Sequence, residues 1–253
     1  MKDVIYTDIR EKGIAFLVIN KPQRKNAIDR VMMDMLSDQL NALDANPDVK
    51  VIILKGEGEN FTAGGDLKQA GPEGFTIEET RFTLKKYNRT IRTIQDISKP
   101  VIAMVDGYAV GGGMALALAC DMIYVSDRVK FTANFVKVGI IPEMGTMMFL
   151  PQLMGPYRAK ELMFTGRFVE AEEAYKLGIA NKVFPAEELE QGTLAFAQEI
   201  AALSNTSIQL IKNITNATMS TMLDSVLEAE STASPFCTQT VAYKETAAKF
   251  NKK

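Results

Sequence analysis

Phe61-Thr62-Ala63-Gly64-Gly65-Asp66-Leu67 and Lys99-Pro100-Val101-Ile102-Ala103-Met104-Val105-Asp106-Gly107-Tyr108-Ala109-Val110-Gly111-Gly112-Gly113 are the two stretches on which the reading of this chain turns. A short apolar run precedes each glycine cluster, Val51 to Leu54 in the first case and Val101 to Val105 in the second. Short continuous apolar runs bounded by turn residues read as strands covered on both faces. Glycine lets a backbone approach a ligand with no Cβ in the way. Each cluster can therefore aim bare N–H groups outward, and two such donors converging on one carbonyl oxygen form an oxyanion hole. The plainer alternative is a pair of tight strand-to-helix turns.

Working outward, Ile5 to Thr7 and Ile14 to Ile19 read as a hairpin around Glu11-Lys12-Gly13. Asp29 is a candidate N-cap for an amphipathic helix with Val31, Met32, Met35, Leu36, Leu40 and Leu43 on its apolar stripe. The glycine-rich and polar stretch from Gly56 to Gly74 reads as a functional loop, and a long helix follows from Ile77 to about Ile97. The triple glycine opens a helix from Met114 to Ala119, and Met122 to Val125 is another strand. Strand, crossover helix and strand in repetition define an α/β class. From Tyr157 the chain turns mostly helical, with Ala159 to Thr165, Glu170 to Leu177, Ala186 to Leu203 and Ser207 to Thr232 as successive candidates.

Composition narrows the chemistry. The 253 residues are 47% apolar, and 29 basic against 31 acidic residues leave a net charge of −2, which argues against a nucleic-acid surface. The apolar runs fall short of the ~20 residues of a membrane span, and Met1-Lys2-Asp3-Val4 begins no signal peptide, so a soluble cytoplasmic protein is expected with no membrane partner. Cys120, inside a small apolar run, reads as a buried thiol, and with Cys237 it is too little for a disulfide framework. The chain has no histidine, which removes Ser-His and Cys-His nucleophiles, imidazole bases and most zinc sites. No metal is expected. Acid–base work falls to Asp, Glu, Lys, Tyr or water.

With Ala119-Cys120-Asp121-Met122-Ile123 added, the two opening stretches resemble the enoyl-CoA hydratase/isomerase (crotonase) superfamily, and the resemblance continues almost to the C-terminus. It implies a ββα spiral core over residues 1–190 and a helical C-terminal trimerisation region over 191–253, assembled as a trimer or hexamer. It also places the two oxyanion-hole N–H groups on Gly65 and Gly112. The latter lies at the start of a predicted helix, where unpaired N–H groups and the helix dipole favour negative charge. Lys25 and Ala27, with the run Ala63 to Leu67 that includes Asp66, match segments lining a CoA pocket. Ala63 and Leu67 would contact adenine and pantetheine, and Lys21, Arg24 and Lys25 would meet phosphates or stay solvated. Lys244, in a C-terminal stretch Thr238 to Glu245, would reach a phosphate across a subunit boundary. No cofactor beyond the CoA or carrier-protein thioester of the substrate is implied.

The carboxylates separate the branches of the superfamily. Hydration resembles a job for two glutamates, and their positions hold Ala115 and Phe135 here. One acid stands in Gly139-Ile140-Ile141-Pro142-Glu143-Met144-Gly145-Thr146. A Pro-Glu pair there, with a Phe at 135, resembles the 3,2-enoyl-CoA isomerases, in which this glutamate is the single base. Apolar neighbours Ile140, Ile141, Met144, Met147, Met148 and Phe149 should raise its pKa. A solvated acid at a helix N-terminus is the alternative. A decarboxylase of polyketide-pathway type acting on a carrier-bound thioester, an atypical hydratase, a hydrolase or a dehalogenase remain open, as does a non-catalytic acyl-CoA-binding protein. Met104, Met114, Met144, Met147, Met148 and Met154 either pack a core or surround an aliphatic acyl group.

Overall fold

The computed structural model describes residues 3–70 and 75–251. In chain order it contains β1 (Ile5–Arg10), β2 (Ile14–Ile19), α1 (Arg30–Ala45), β3 (Val51–Gly56), α2 (Ile77–Asp96), β4 (Val101–Val105), β5 (Tyr108–Val110), α3 (Gly112–Ala119), β6 (Met122–Ser126) and β7 (Lys130–Thr132). There follow α4 (Thr146–Met154), α5 (Pro156–Thr165), β8 (Val169–Glu170), α6 (Ala171–Lys176), β9 (Lys182–Phe184), α7 (Leu189–Ala201), α8 (Asn205–Ala217), α9 (Ser220–Cys237) and α10 (Val241–Asn251).

One sheet runs β1-β2-β3-β4-β6-β9, with β1 antiparallel to β2 and every later pair parallel. All six side chains of β2 are buried, which is what two covered faces require. Alternation sorts them: Ala15, Leu17 and Ile19 join Ile52, Leu54, Ala103 and Val105 in one cluster, which also holds the buried faces of α1, α2 and α3. Ile14, Phe16 and Val18 join Val51, Ile53, Ile102 and Tyr124 on the other face, where Leu189, Ala197 and Ala201 of α7 cover them.

A second sheet, β5-β7-β8, is built from segments too short to show a period in the sequence. Isolated parallel bridges Thr62 to Ala109 and Ile28 to Gly65 run alongside it. Each turn of the chain thus adds one long strand to the first sheet and one short segment beside the second. This is the spiral that the resemblance implies, followed by the helices α7 to α10.

Asp29 caps α1 as expected, its side chain accepting from the Met32 N–H at 2.9 Å. The stripe is shifted, because Met33 is buried and Val31 is 66% exposed. The Ser207 to Thr232 candidate is two helices, α8 and α9, broken at Thr218 and Met219. The boundary drawn at 190 falls inside α7, which packs against β2, β3, β4 and β6 and so belongs to the core. Part of the 56–74 loop, residues 71–74, lies outside the described residues. Cys120 is buried as read, and among the described residues no helix is long and apolar enough to cross a membrane.

Lys212 fastens the C-terminal helices to the sheet. It is 6% exposed, and its Nζ donates to the carbonyls of Ile94 and Lys99 and sits 2.8 Å from Asp121 Oδ2. Asp121 Oδ2 also accepts from the Val101 N–H at the start of β4. Removing one partner of a buried pair leaves the other charge uncompensated, so Lys212→Met should lower stability by about 3–5 kcal/mol in urea unfolding.

Candidate active site

The first glycine segment is shaped by a buried amide. Asn26 has no exposed surface and takes a left-handed φ of 56°, which Asn tolerates better than most residues. Its Nδ2 donates to the carbonyls of Glu57 and Asn60, its Oδ1 accepts from the Lys21 N–H, and its own carbonyl accepts from Thr62 Oγ1 at 2.6 Å. The loop before α1 is thereby bound to the loop after β3.

The two glycine segments then interlock. Gly64 has φ +84°, and a Cβ added there would lie 2.3 Å from the Val110 carbonyl oxygen. A Cβ on Gly113 would lie 2.7 Å from the Thr62 carbonyl oxygen. Only glycine fits either contact. The bridge to Ile28 uses the carbonyl of Gly64 and the N–H of Asp66, so the N–H of Gly65 points to the opposite side. Gly112 is the first residue of α3, ahead of any intrahelical acceptor for its N–H. The two amides converge: a Cβ built on Gly112 lies 4.0 Å from the Gly65 nitrogen.

They open onto a cavity of about 430 Å³. Ala27, Ala63, Gly65, Asp66 and Leu67 form one side, and Phe135, Val138, Ile140, Glu143 and Met144 form the other. Thr80, Thr83, Leu84 and Tyr87 of α2 contribute a third wall, closed by Thr238 and Tyr243 from the C-terminal segment. That segment therefore meets the cavity of its own chain through Thr238 and Tyr243, and Lys244 is not among the lining residues. Of the six methionines singled out, only Met144 lines the cavity; Met104 packs on the far face of the sheet and Met114 inside the main core.

Two expected residues stand elsewhere. Lys25 places its Nζ 4.4 Å above the Tyr108 ring and contributes its carbonyl, which accepts from the Ala63 N–H. Ala115 is fully buried within α3 behind the cavity wall. Asp66, at the mouth, is engaged by Lys21 Nζ at 3.1 Å and Arg24 Nη2 at 2.9 Å.

Glu143 is 9% exposed and sits on a strained loop, since Met144 after it takes φ 61° with a full side chain. Burial pushes its carboxyl up to about 7, against a hydrogen bond from Ser234 Oγ that favours the ionised form. Tyr87, Glu230 and Ser234 are neighbours of this site that sequence reading missed. Their signal is faint: a tyrosine on α2 and a glutamate and serine one turn apart on α9 look like ordinary helix residues until the helices are packed.

The profile of the enoyl-CoA hydratase/isomerase family matches residues 9–253. The chain belongs to that family. It is 33% identical over 237 residues to a crotonyl-CoA hydratase of Syntrophomonas wolfei, covering 93% of this chain and 90% of the relative. It is 34% identical over 205 residues to a peroxisomal Δ(3,5)-Δ(2,4)-dienoyl-CoA isomerase of Arabidopsis thaliana, covering 77% and 74%. The crystal structure of an enoyl-CoA hydratase/isomerase from Pseudoalteromonas atlantica superposes with a TM-score of 0.88 at 27% identity, covering 99% and 97%.

The raised carboxyl makes a stability prediction. Between its ordinary value near 4.5 and about 7, Glu143 is ionised in the unfolded chain and protonated in the folded one. Folding stability is therefore lost as pH rises through that window. Glu143→Gln escapes the loss, so its stability advantage over the wild type should grow between pH 5 and pH 8, by on the order of 1–3 kcal/mol in urea titrations.

Proposed function

We propose that this chain is an acyl-CoA thioester isomerase that moves a double bond from the 3,4 to the 2,3 position. The N–H groups of Gly65 and Gly112 hold the thioester oxygen, and ionised Glu143 takes a proton from C2. The electrons of that bond pass into the conjugated dienolate, whose charge rests on the held oxygen. Glu143 then returns the proton to C4, and the double bond settles between C2 and C3.

The observation that carries this reading is the carboxyl inventory of the cavity. Among the described lining residues the acids are Asp66 and Glu143, and Asp66 is committed to Lys21 and Arg24. One carboxyl outside these ion pairs, Glu143, suits a proton shuttle between two carbons on one face. The hydratase name of the Syntrophomonas relative favours addition of water, but the two positions that the resemblance assigns to hydration hold Phe135 and buried Ala115. Apolar walls from Leu84, Phe135, Val138 and Ile140 fit a mostly aliphatic acyl group, and Arg24 and Lys68 at the cavity supply positive charge for CoA phosphates. An exposed apolar strip on α8, Leu210, Ile211 and Ile214, supports the self-associated form, trimer or hexamer.

Glu143→Gln keeps size and hydrogen bonding but cannot accept the proton. Isomerisation of 3-enoyl-CoA by that variant should fall by a factor on the order of 10² to 10⁴ with substrate binding nearly unchanged. In the unmodified protein kcat should rise with pH around an acid limb at about 7. Robust hydration of 2-enoyl-CoA would overturn the reading, and CO2 release from a 3-methylglutaconyl-type thioester without isomerisation would select decarboxylation instead. Gly112→Pro tests the other half. Proline is tolerated at the first position of a helix but has no N–H, so the folded variant should lose about 10²- to 10³-fold in kcat.

A further inference from the structure

The loop that carries Glu143 is gripped from behind by α9. Ser234 and Glu230 are both fully buried, and their spacing of four residues puts them on one face of that helix. Ser234 Oγ donates to Glu143 Oε1. One turn earlier, Glu230 Oε2 accepts from the Gly145 N–H at 2.9 Å, two residues beyond Glu143. Thr146 completes the grip by donating its hydroxyl to the Glu143 carbonyl at 2.7 Å. A buried glutamate with its second oxygen unpartnered among the described residues costs stability, so packing alone does not account for this face of α9.

We propose that Ser234 is a positioning residue for Glu143: by occupying Oε1 it fixes the carboxyl in one orientation and leaves Oε2 as the oxygen that exchanges the proton with substrate. The inference rests on Glu143 as the base of the proposed reaction. A carboxylate whose two oxygens are interchangeable must find its geometry at each proton transfer, at C2 and again at C4. Holding one oxygen removes that search and presents the other to both carbons.

The titratable groups facing Glu143 are Tyr87 from α2, Glu230 from α9 and Tyr243 from α10, with Asp66, Arg24 and Lys68 further along the cavity. Among the described residues cations stand only in that last group, so Ser234 is the neighbour that stabilises the ionised form by direct contact. Burial opposes it.

The test is an infrared pH titration of the substrate-free protein, with the Glu143 carboxyl band assigned by its disappearance in Glu143→Gln. Ser234→Ala should raise the midpoint by about one pH unit or more, because a donor to the charged form has been removed. The acid limb of kcat should move with it. At pH 7 kcat should fall about fivefold or more and recover toward pH 9, with KM little changed. Ser234→Thr, which keeps the hydroxyl, should restore both midpoint and rate. A folded Ser234→Ala protein with an unmoved midpoint overturns the proposal. So does a midpoint that answers to Glu230→Gln and not to Ser234→Ala. Should the midpoint move while no 3-enoyl thioester is turned over, the positioning of Glu143 stands and the assigned reaction fails.

Discussion

Everything in the site depends on two backbone contacts that admit no side chain. Gly64 lies against the Val110 carbonyl and Gly113 against the Thr62 carbonyl, so the loop after β3 and the segment from β5 to α3 are locked face to face. The lock is reciprocal, each segment supplying one glycine and one carbonyl. It fixes the separation of the Gly65 and Gly112 amides without using either of them as a partner. A donor pair held this way needs no reorganisation when charge develops on a bound oxygen, which is the condition under which such donors are most effective.

The rest of the fold serves that lock. The parallel strands β3 and β4 deliver the two glycine segments to the same end of the sheet, and Asn26 binds the loop before α1 to the first of them. Opposite, the Glu143 loop is held in a conformation its residues do not prefer, with Met144 left-handed and its sulfur against Gly112. Strain at Met144 is tolerated because Glu230, Ser234 and Thr146 over-determine the path of the chain there.

Much of this was legible in the residues. The apolar runs Val51 to Leu54 and Val101 to Val105 announce buried strands, Asp29 announces its helix, and the glycine segments announce a close backbone approach. The short strands β5, β7 and β8 were not legible, because two or three residues carry no period. Ser207 to Thr232 read as one helix because nothing at Thr218 and Met219 is a glycine or proline. Of the positions marked by a family motif, Glu143, Gly65, Gly112 and Phe135 border one cavity. Ser234, Glu230 and Tyr87 were missed because their role exists only in the packing of α2 and α9 against the Glu143 loop, at separations of up to 91 residues. Lys25 and Ala115 show the converse, since a motif position can contribute a carbonyl or a fully buried methyl and never border the cavity.

The placement of α9 and the residues after it has a consequence for the timing of assembly. Gly65, Gly112 and Glu143 lie in the first 143 residues, but Ser234, Thr238 and Tyr243 come some ninety residues or more later in the sequence. A ribosome adding about 5–20 residues per second releases the spiral core first. Until the last helices follow, the Glu143 carboxyl lacks the Ser234 hydroxyl and the cavity lacks the closure that Thr238 and Tyr243 provide. A nascent chain that has passed Glu143 but not yet reached Tyr243 thus carries Gly65, Gly112 and Glu143 and still has an unfinished cavity.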